Sequence, residues 1–207
     1  MNCQASAGSL KFGGMDKNRL EAFSDGVLAI IITITVLEMK VPHGSDWPAL
    51  KPVLPVFLTY LLSFAYVGIY WNNHHHLLKA TRRINAGIMW ANLHLLFWLS
   101  LFPFVTGWMG ENHFSAAPSA LYGAVLLLAA IAWYVLQSLI IAEHGGCESK
   151  LAAAIGKDWK GKLSPALYAV GIVVSFFQPW IAGAIYAIVA LMWLIPDRRL
   201  ERLAKET

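Results

Sequence analysis

An all-α, polytopic membrane protein with six transmembrane helices and both termini in the cytoplasm is the fold class this sequence predicts. Three observations predict it. Of 207 residues, 57% are hydrophobic and only 14% are charged, against roughly 25% charged in an ordinary soluble domain. The apolar residues fall in runs of about 15–26 residues without the strict alternation of a lipid-facing strand. With six spans, fourteen of the sixteen Lys and Arg residues fall on one side, leaving only Lys40 and Lys51 on the other. The positive-inside rule then places both ends in the cytoplasm. A soluble enzyme, a disordered protein, a disulfide-stapled module and a nucleic-acid binder are all excluded on these grounds.

The spans follow in order. Residues 1–18 are small, polar and Gly-rich, with no apolar stretch for a signal peptide, and read as a flexible cytoplasmic tail. The first run is Phe23 to Val41, broken by Pro42, Gly44 and Pro48. The second runs from Val53 to Trp71, with Pro52 and Pro55 at its start, where proline is tolerated. The third runs from Ile84 to Met109, and Pro103 predicts a kink in its outer end. The fourth covers Pro118 to Ala142. The fifth and sixth, Ser164 to Gln178 and Trp180 to Ile195, are short and share Pro179 as their turn. Residues 19–196 thus form one six-helix channel-sized domain without internal repeat. Residues 197–207 (DRRLERLAKET from Asp197) read as a cytoplasmic amphipathic tail near anionic headgroups. Cys3 and Cys147 lie in polar segments and read as free thiols.

The first helix differs from the rest. It places Asp25 inside an apolar run, beside Ser24 and between Arg19, Glu21 and Glu38. An ionisable group in a span costs at least a few kcal/mol and requires a partner or a wet cavity. At about 100° per residue, Phe23, Gly26, Val27, Ile30, Thr33, Ile34, Leu37 and Val41 share one stripe, and Asp25 falls on the opposite side. One face is therefore assigned to polar partners within the subunit. The other is left for lipid, another helix or a pore; such an aliphatic stripe alone is more often ordinary packing.

Arg19-Leu20-Glu21-Ala22-Phe23-Ser24-Asp25 fits an RxxxFSD signature, and the following GVLAIIITITVLEMKVP continues it. In this the chain resembles the transmembrane protein 175 family of potassium channels, and the resemblance extends over the chain after residue 15. It implies a potassium-selective channel without a TVGYG filter, assembled as a homotetramer in the plasma membrane of a prokaryote, with potassium as the permeant ion and no cofactor. It implies that the first helices line the pore, with Ile30 as the narrowest aliphatic ring, Thr33 as a hydroxyl layer, and Ile34 and Leu37 continuing the constriction. Arg19, Phe23, Ser24 and Asp25 are expected to form a structural network with partners among Trp71, Asn72, His75, His76, Asn85 and Asn92.

His74-His75-His76 is not expected to bind metal, because adjacent helical residues point about 100° apart. Trp47, Trp108 and Trp180 are assigned to the outer interface and Trp71 and Trp159 to the inner one; Trp90, Trp98, Trp133 and Trp193 are expected to pack internally. No nucleophile elbow, phosphate loop or paired carboxylates appear, so an enzyme is not expected. The alternative function is a proton-coupled secondary transporter using Asp25 and the histidines, disfavoured by the absence of inverted repeats. A third is a non-conducting structural membrane protein.

Overall fold

A computed structural model describes residues 17–81, 83–146 and 158–194. The segments 1–16, 147–157 and 195–207, with both cysteines and the amphipathic tail, lie outside the described residues. The described elements are α1 (Lys17–Leu37), a 3₁₀ turn (Trp47–Val53), α2 (Leu54–Ala80), α3 (Ala86–Ser100), α4 (Phe102–Glu111), α5 (Ala116–Glu143), α6 (Trp159–Ser175) and α7 (Pro179–Leu194). All are helical, and no strand occurs among the described residues. Lys17–Leu37, Trp47–Ala80, Ala86–Glu111 and Ala116–Glu143 are long and apolar enough to cross a membrane, and Pro179–Leu194 is a shorter apolar helix. Counting α3 and α4 as one broken span, six rods are present among the described residues.

The boundaries depart from the hydropathy pattern where local chemistry overrides it. α1 stops at Leu37, four residues before Val41, with Met39 N–H closing a tight turn onto Val36 O at 3.2 Å. Pro42 disfavours helix at the residue before it, so the chain leaves the axis here. α2 runs on past Trp71 to Ala80, although its last nine residues are largely polar. His74, Leu77 and Leu78 are buried on one face of that extension, and this packing holds the helix together. It ends where Thr81 adopts extended geometry. Leu101 breaks the third span as expected, because Pro103 in the first turn of α4 has no N–H to continue the ladder of α3. α6 starts five residues before Ser164, because Asp158 caps it by accepting the Gly161 N–H at 2.9 Å. The turn between the last two helices is Phe176–Gln178, and Pro179 opens α7.

Between α4 and α5, His113 and Phe114 both have positive φ, at 50° and 59°. Non-glycine residues rarely accept that conformation. Here the Phe114 N–H reaches Met109 O at 3.0 Å, closing the helix end, and its buried ring meets Trp180 at 4.5 Å.

The helices assemble around aromatic side chains. α5 lies between α3 and α6, α7 closes against α6 and α2, and α1 packs on α2, α3 and α4. Tyr66, Phe102, Tyr122, Tyr168 and Tyr186 are buried together, with ring centroids near 6 Å apart. Their hydroxyls are satisfied locally: Tyr66 donates to Tyr186 O at 2.7 Å, and Ser63 bonds both Thr106 and Tyr122 at 2.5 and 2.9 Å. A polar group left unpaired in this interior would cost a few kcal/mol.

Tyr186 lies directly over Gly123 and Gly171, where a Cβ on either glycine would collide with its ring or hydroxyl. Gly171→Ala gains up to about 1 kcal/mol in helix propensity. It loses about 1–3 kcal/mol to overpacking of the kind that moves a whole ring. The loss prevails, and the expected result is a lower melting temperature for the purified protein in detergent; a raised one would mean that Tyr186 moves aside without cost.

Candidate functional site

α1 has two chemically distinct faces. Leu20, Ser24, Leu28, Ile31 and Thr35 recur at spacings of four and three and are buried against α2, α3 and α4. The other face carries Phe23, Gly26, Ile30, Thr33, Ile34 and Leu37, all exposed. Ile30 is 59% exposed and Leu37 73%, whereas Ile31 is 4% exposed. The exposed stripe therefore makes no use of the protomer's own core. Thr33 donates its hydroxyl hydrogen to Ala29 O at 2.8 Å, which leaves both lone pairs of the oxygen as acceptors. Beside this stripe a groove of about 420 Å³ is lined by Ile30, Ile34, Glu38, Ser100, Pro103 and Phe104. The broken third span forms its far wall, so the kink at Leu101 shapes the surface next to the stripe.

The buried face holds α1 in place through polar bonds. Asn92 of α3 donates to Ser24 Oγ at 2.9 Å, and the Ser24 hydroxyl in turn donates a hydrogen bond to Leu20 O. The carbonyl of Asn92 meets His74 Nε2 at 2.6 Å. With the amide so oriented, His74 carries its proton on Nε2. Ser24, Asn92 and His74 are each essentially inaccessible. Nearer the surface, Trp71 donates its indole N–H to Asp25 Oδ1 at 3.1 Å, and Glu21 lies 3.0 Å from His75 Nδ1. The Trp71 ring stacks on His75, and His76 meets His75 edge-on. Lys17 adds a bond to Lys79 O at 2.9 Å.

Several expected participants stand elsewhere. Asn85 does not join this network: its oxygen caps α3 at Ile88 N, and its amide donates to Glu143. Its position immediately before the helix dictates that role. Arg19 and Phe23 are exposed and take no part in these bonds, and Asn72 is exposed as well. Phe23 belongs to the outward stripe. Trp90 is 68% exposed and does not pack internally, because it lies on the outer face of α3 away from Asn92. His74 is the partner that sequence reasoning passed over in favour of its neighbours. The signal was its place in the series Ser63, Val67, His74 and Leu78, which forms the buried edge of α2. His74 turns to Asn92 and His75 to Glu21, and no cluster of three His, Cys, Asp or Glu among the described residues is placed to hold a metal.

At the opposite end of α1, Glu38 lies over Gly107, its carboxylate occupying the space a side chain there would need. Lys40 pairs with Glu111 at 2.6 Å. The hydrogen bond and charge of Glu111 raise the Lys40 pKa above its usual value, so the ammonium stays charged. Both residues are well exposed, so the pair contributes little to stability.

The chain is similar to known proteins. Residues 19–103, from the first turn of α1 to the Pro103 break, match the family model described as the endosomal/lysosomal potassium channel TMEM175. A potassium channel of Chryseobacterium sp. (strain P1-3) is 57% identical over 192 residues, covering 93% of this chain and all of that protein. A potassium channel of Chamaesiphon minutus is 30% identical over 198 residues, covering 87% of this chain and 94% of its own length. The crystal structure of a lysosomal potassium-selective channel TMEM175 homolog from Chamaesiphon minutus superposes with a TM-score of 0.73 at 28% identity, over 87% of this chain and 97% of that one. With this helical fold and these similarities, the chain belongs to the TMEM175 family.

Proposed function

We propose that this protein is a potassium-selective ion channel, and not an enzyme, whose pore is lined by the exposed stripe of α1 from four identical copies. The observation that carries the pore assignment is the split character of α1. A helix anchored by buried polar bonds turns a row of aliphatic side chains and one threonine away from its own protomer. Relatives named as potassium channels support the ion. Around a shared axis, four copies of Ile30 form a constriction that resists wetting, with Ile34 and Leu37 extending it. A cation crossing it must shed water and gains little from methyl groups. Potassium holds its water less tightly than sodium, so the barrier favours potassium. Thr33 oxygens beside the ring supply the contacts that partly replace the lost water. Potassium is the permeant ion, and the mechanism calls for no cofactor.

The basic residues at Lys17, Arg19, Lys79, Arg83, Lys160 and Lys162 all lie at one end of the bundle's rods, opposite Lys40 and Lys51. This supports a multi-pass protein in a prokaryotic plasma membrane with both termini in the cytoplasm. Fourfold assembly would bring the groove beside Ile30 against the neighbouring α1.

Reconstitution into a planar bilayer with potassium on one side and sodium on the other tests the function. Ohmic single-channel steps reversing near the potassium potential are expected. Saturable, proton-coupled flux without unitary steps would instead mark a secondary transporter. The role of Thr33 is tested in the same bilayer: Thr33→Ala should move the reversal potential towards zero, a roughly fivefold loss of preference corresponding to about 1 kcal/mol. An unchanged potential removes Thr33 from the filter.

A further inference from the structure

Away from α1, the second half of α2, the middle of α5, the start of α6 and the last turn of α7 line a partly open cavity of about 40 Å³. Tyr70, Trp133, Tyr134 and Trp193 supply aromatic walls, and Asp158 and Asn73 supply oxygen. Tyr70 and Trp133 stand edge to face at 6.2 Å, which fixes the corner of the enclosure. The polar groups are only partly used. Asp158 accepts the Gly161 N–H with Oδ1, leaving Oδ2. Asn73 donates its amide to Ile69 O at 2.9 Å, leaving its carbonyl oxygen. Ser164 is fully engaged, donating to Lys160 O and accepting from Trp193 Nε1 at 2.8 Å. A carboxylate oxygen, an amide oxygen and several ring faces are among the groups left to a guest.

We propose that this cavity binds a primary ammonium group carried on a two-carbon stem. Aromatic faces with a carboxylate attract cations and repel anions. The two spare oxygens are acceptors, which suits a group with three N–H bonds and gives no advantage to a trimethylammonium, which has none. Size agrees. One water-sized body needs about 10–15 Å³ of such space, so the cavity takes about three heavy atoms, the nitrogen and two carbons of an aminoethyl group. The group can arrive as the headgroup of phosphatidylethanolamine or as a dissolved amine. In the orientation proposed above the lipid would belong to the cytoplasmic leaflet; the chemistry of the site does not depend on that orientation, nor on the protein conducting.

The test uses the full chain in detergent and native mass spectrometry, which reads bound mass and no current. The protein is offered equal amounts of phosphatidylethanolamine, phosphatidylcholine and phosphatidylglycerol with matched acyl chains. Phosphatidylethanolamine is expected to be retained at least about fivefold over the other two, as one charge-assisted N–H···O bond that neither of the other headgroups can donate implies. Asp158→Asn keeps a good helix cap while removing the charge. It should reduce retention to the level of phosphatidylcholine, and Trp133→Leu should do the same through the aromatic wall. Displacement of the retained lipid by ethylammonium chloride, with no displacement by tetramethylammonium chloride, identifies the lipid headgroup as the source. Ethylammonium raising the melting temperature of the wild type but not of Asp158→Asn, with no preferred lipid, identifies a dissolved amine. Equal retention of all three lipids together with no ethylammonium effect overturns the proposal, as does a preference that both variants leave intact.

Discussion

Replacing Ile30 with Asn is expected to raise single-channel current about tenfold and to bring the reversal potential in mixed potassium and sodium close to zero. The change puts four amides where the constriction has four sec-butyl groups, so water remains beside an ion at the narrowest point. Lowering the crossing barrier by about 1.4 kcal/mol suffices for that tenfold increase. Sodium, which suffers more from dehydration, gains more than potassium. Stability is not expected to change, because Ile30 is 59% exposed and contributes nothing to the protomer core. The adjacent Ile31 provides the control. It is 4% exposed, and Ile31→Asn puts an amide among apolar neighbours at a cost of about 1–3 kcal/mol, so folded yield falls. Two identical substitutions, one residue apart, thus separate permeation from folding. Unchanged current and selectivity in Ile30→Asn would remove this side chain from the ion path.

The two faces of α1 were legible in the sequence because a membrane helix buried on one side still obeys a 3.6-residue period. Leu20, Ser24, Leu28, Ile31 and Thr35 keep that period, and the aliphatic stripe occupies its complement. The break at Pro103 was legible for a similarly local reason, the missing N–H. What escaped was governed by tertiary packing. Hydropathy ended the second helix at Trp71, yet it continues to Ala80 because His74, Leu77 and Leu78 find buried partners on other helices. The early end of α1 at Leu37 escaped because four apolar or amphipathic residues before Pro42 look helical until the turn is seen. Asn85 and Asn92 are one residue type seven positions apart. Only the start of α3 between them decides that the first caps a helix and the second bonds Ser24. His74 was hidden among three histidines, since the sequence alone does not show which of them points inward.

That buried bond chain supports the second large effect. Asn92→Leu keeps the number and branching of side-chain heavy atoms, although methyl groups are bulkier than the amide's, and it removes the donor to Ser24 Oγ and leaves the His74 Nε2–H without its acceptor. The orphaned His74 N–H costs about 1–3 kcal/mol in a fully buried site, and the lost bond to Ser24, whose hydroxyl keeps its bond to Leu20 O, adds about 1 kcal/mol. Hydrogen bonds between membrane helices average nearer 0.6 kcal/mol, because the alternative state also finds partners. Full burial of Ser24, His74 and Asn92 favours the larger figure. The expected result is a loss of about 2–4 kcal/mol, read as a sharply lower yield of folded protein and a lower melting temperature. Channels that survive should reverse at the wild-type potential, since the stripe of α1 is untouched. The asymmetry of hydrogen bonding gives a stricter test. Combining Asn92→Leu with Ser24→Ala and His74→Phe removes every partner together, and most of the lost stability should return. If Asn92→Leu instead folds normally and shifts the reversal potential, the network acts on the ion rather than on the helix that surrounds it.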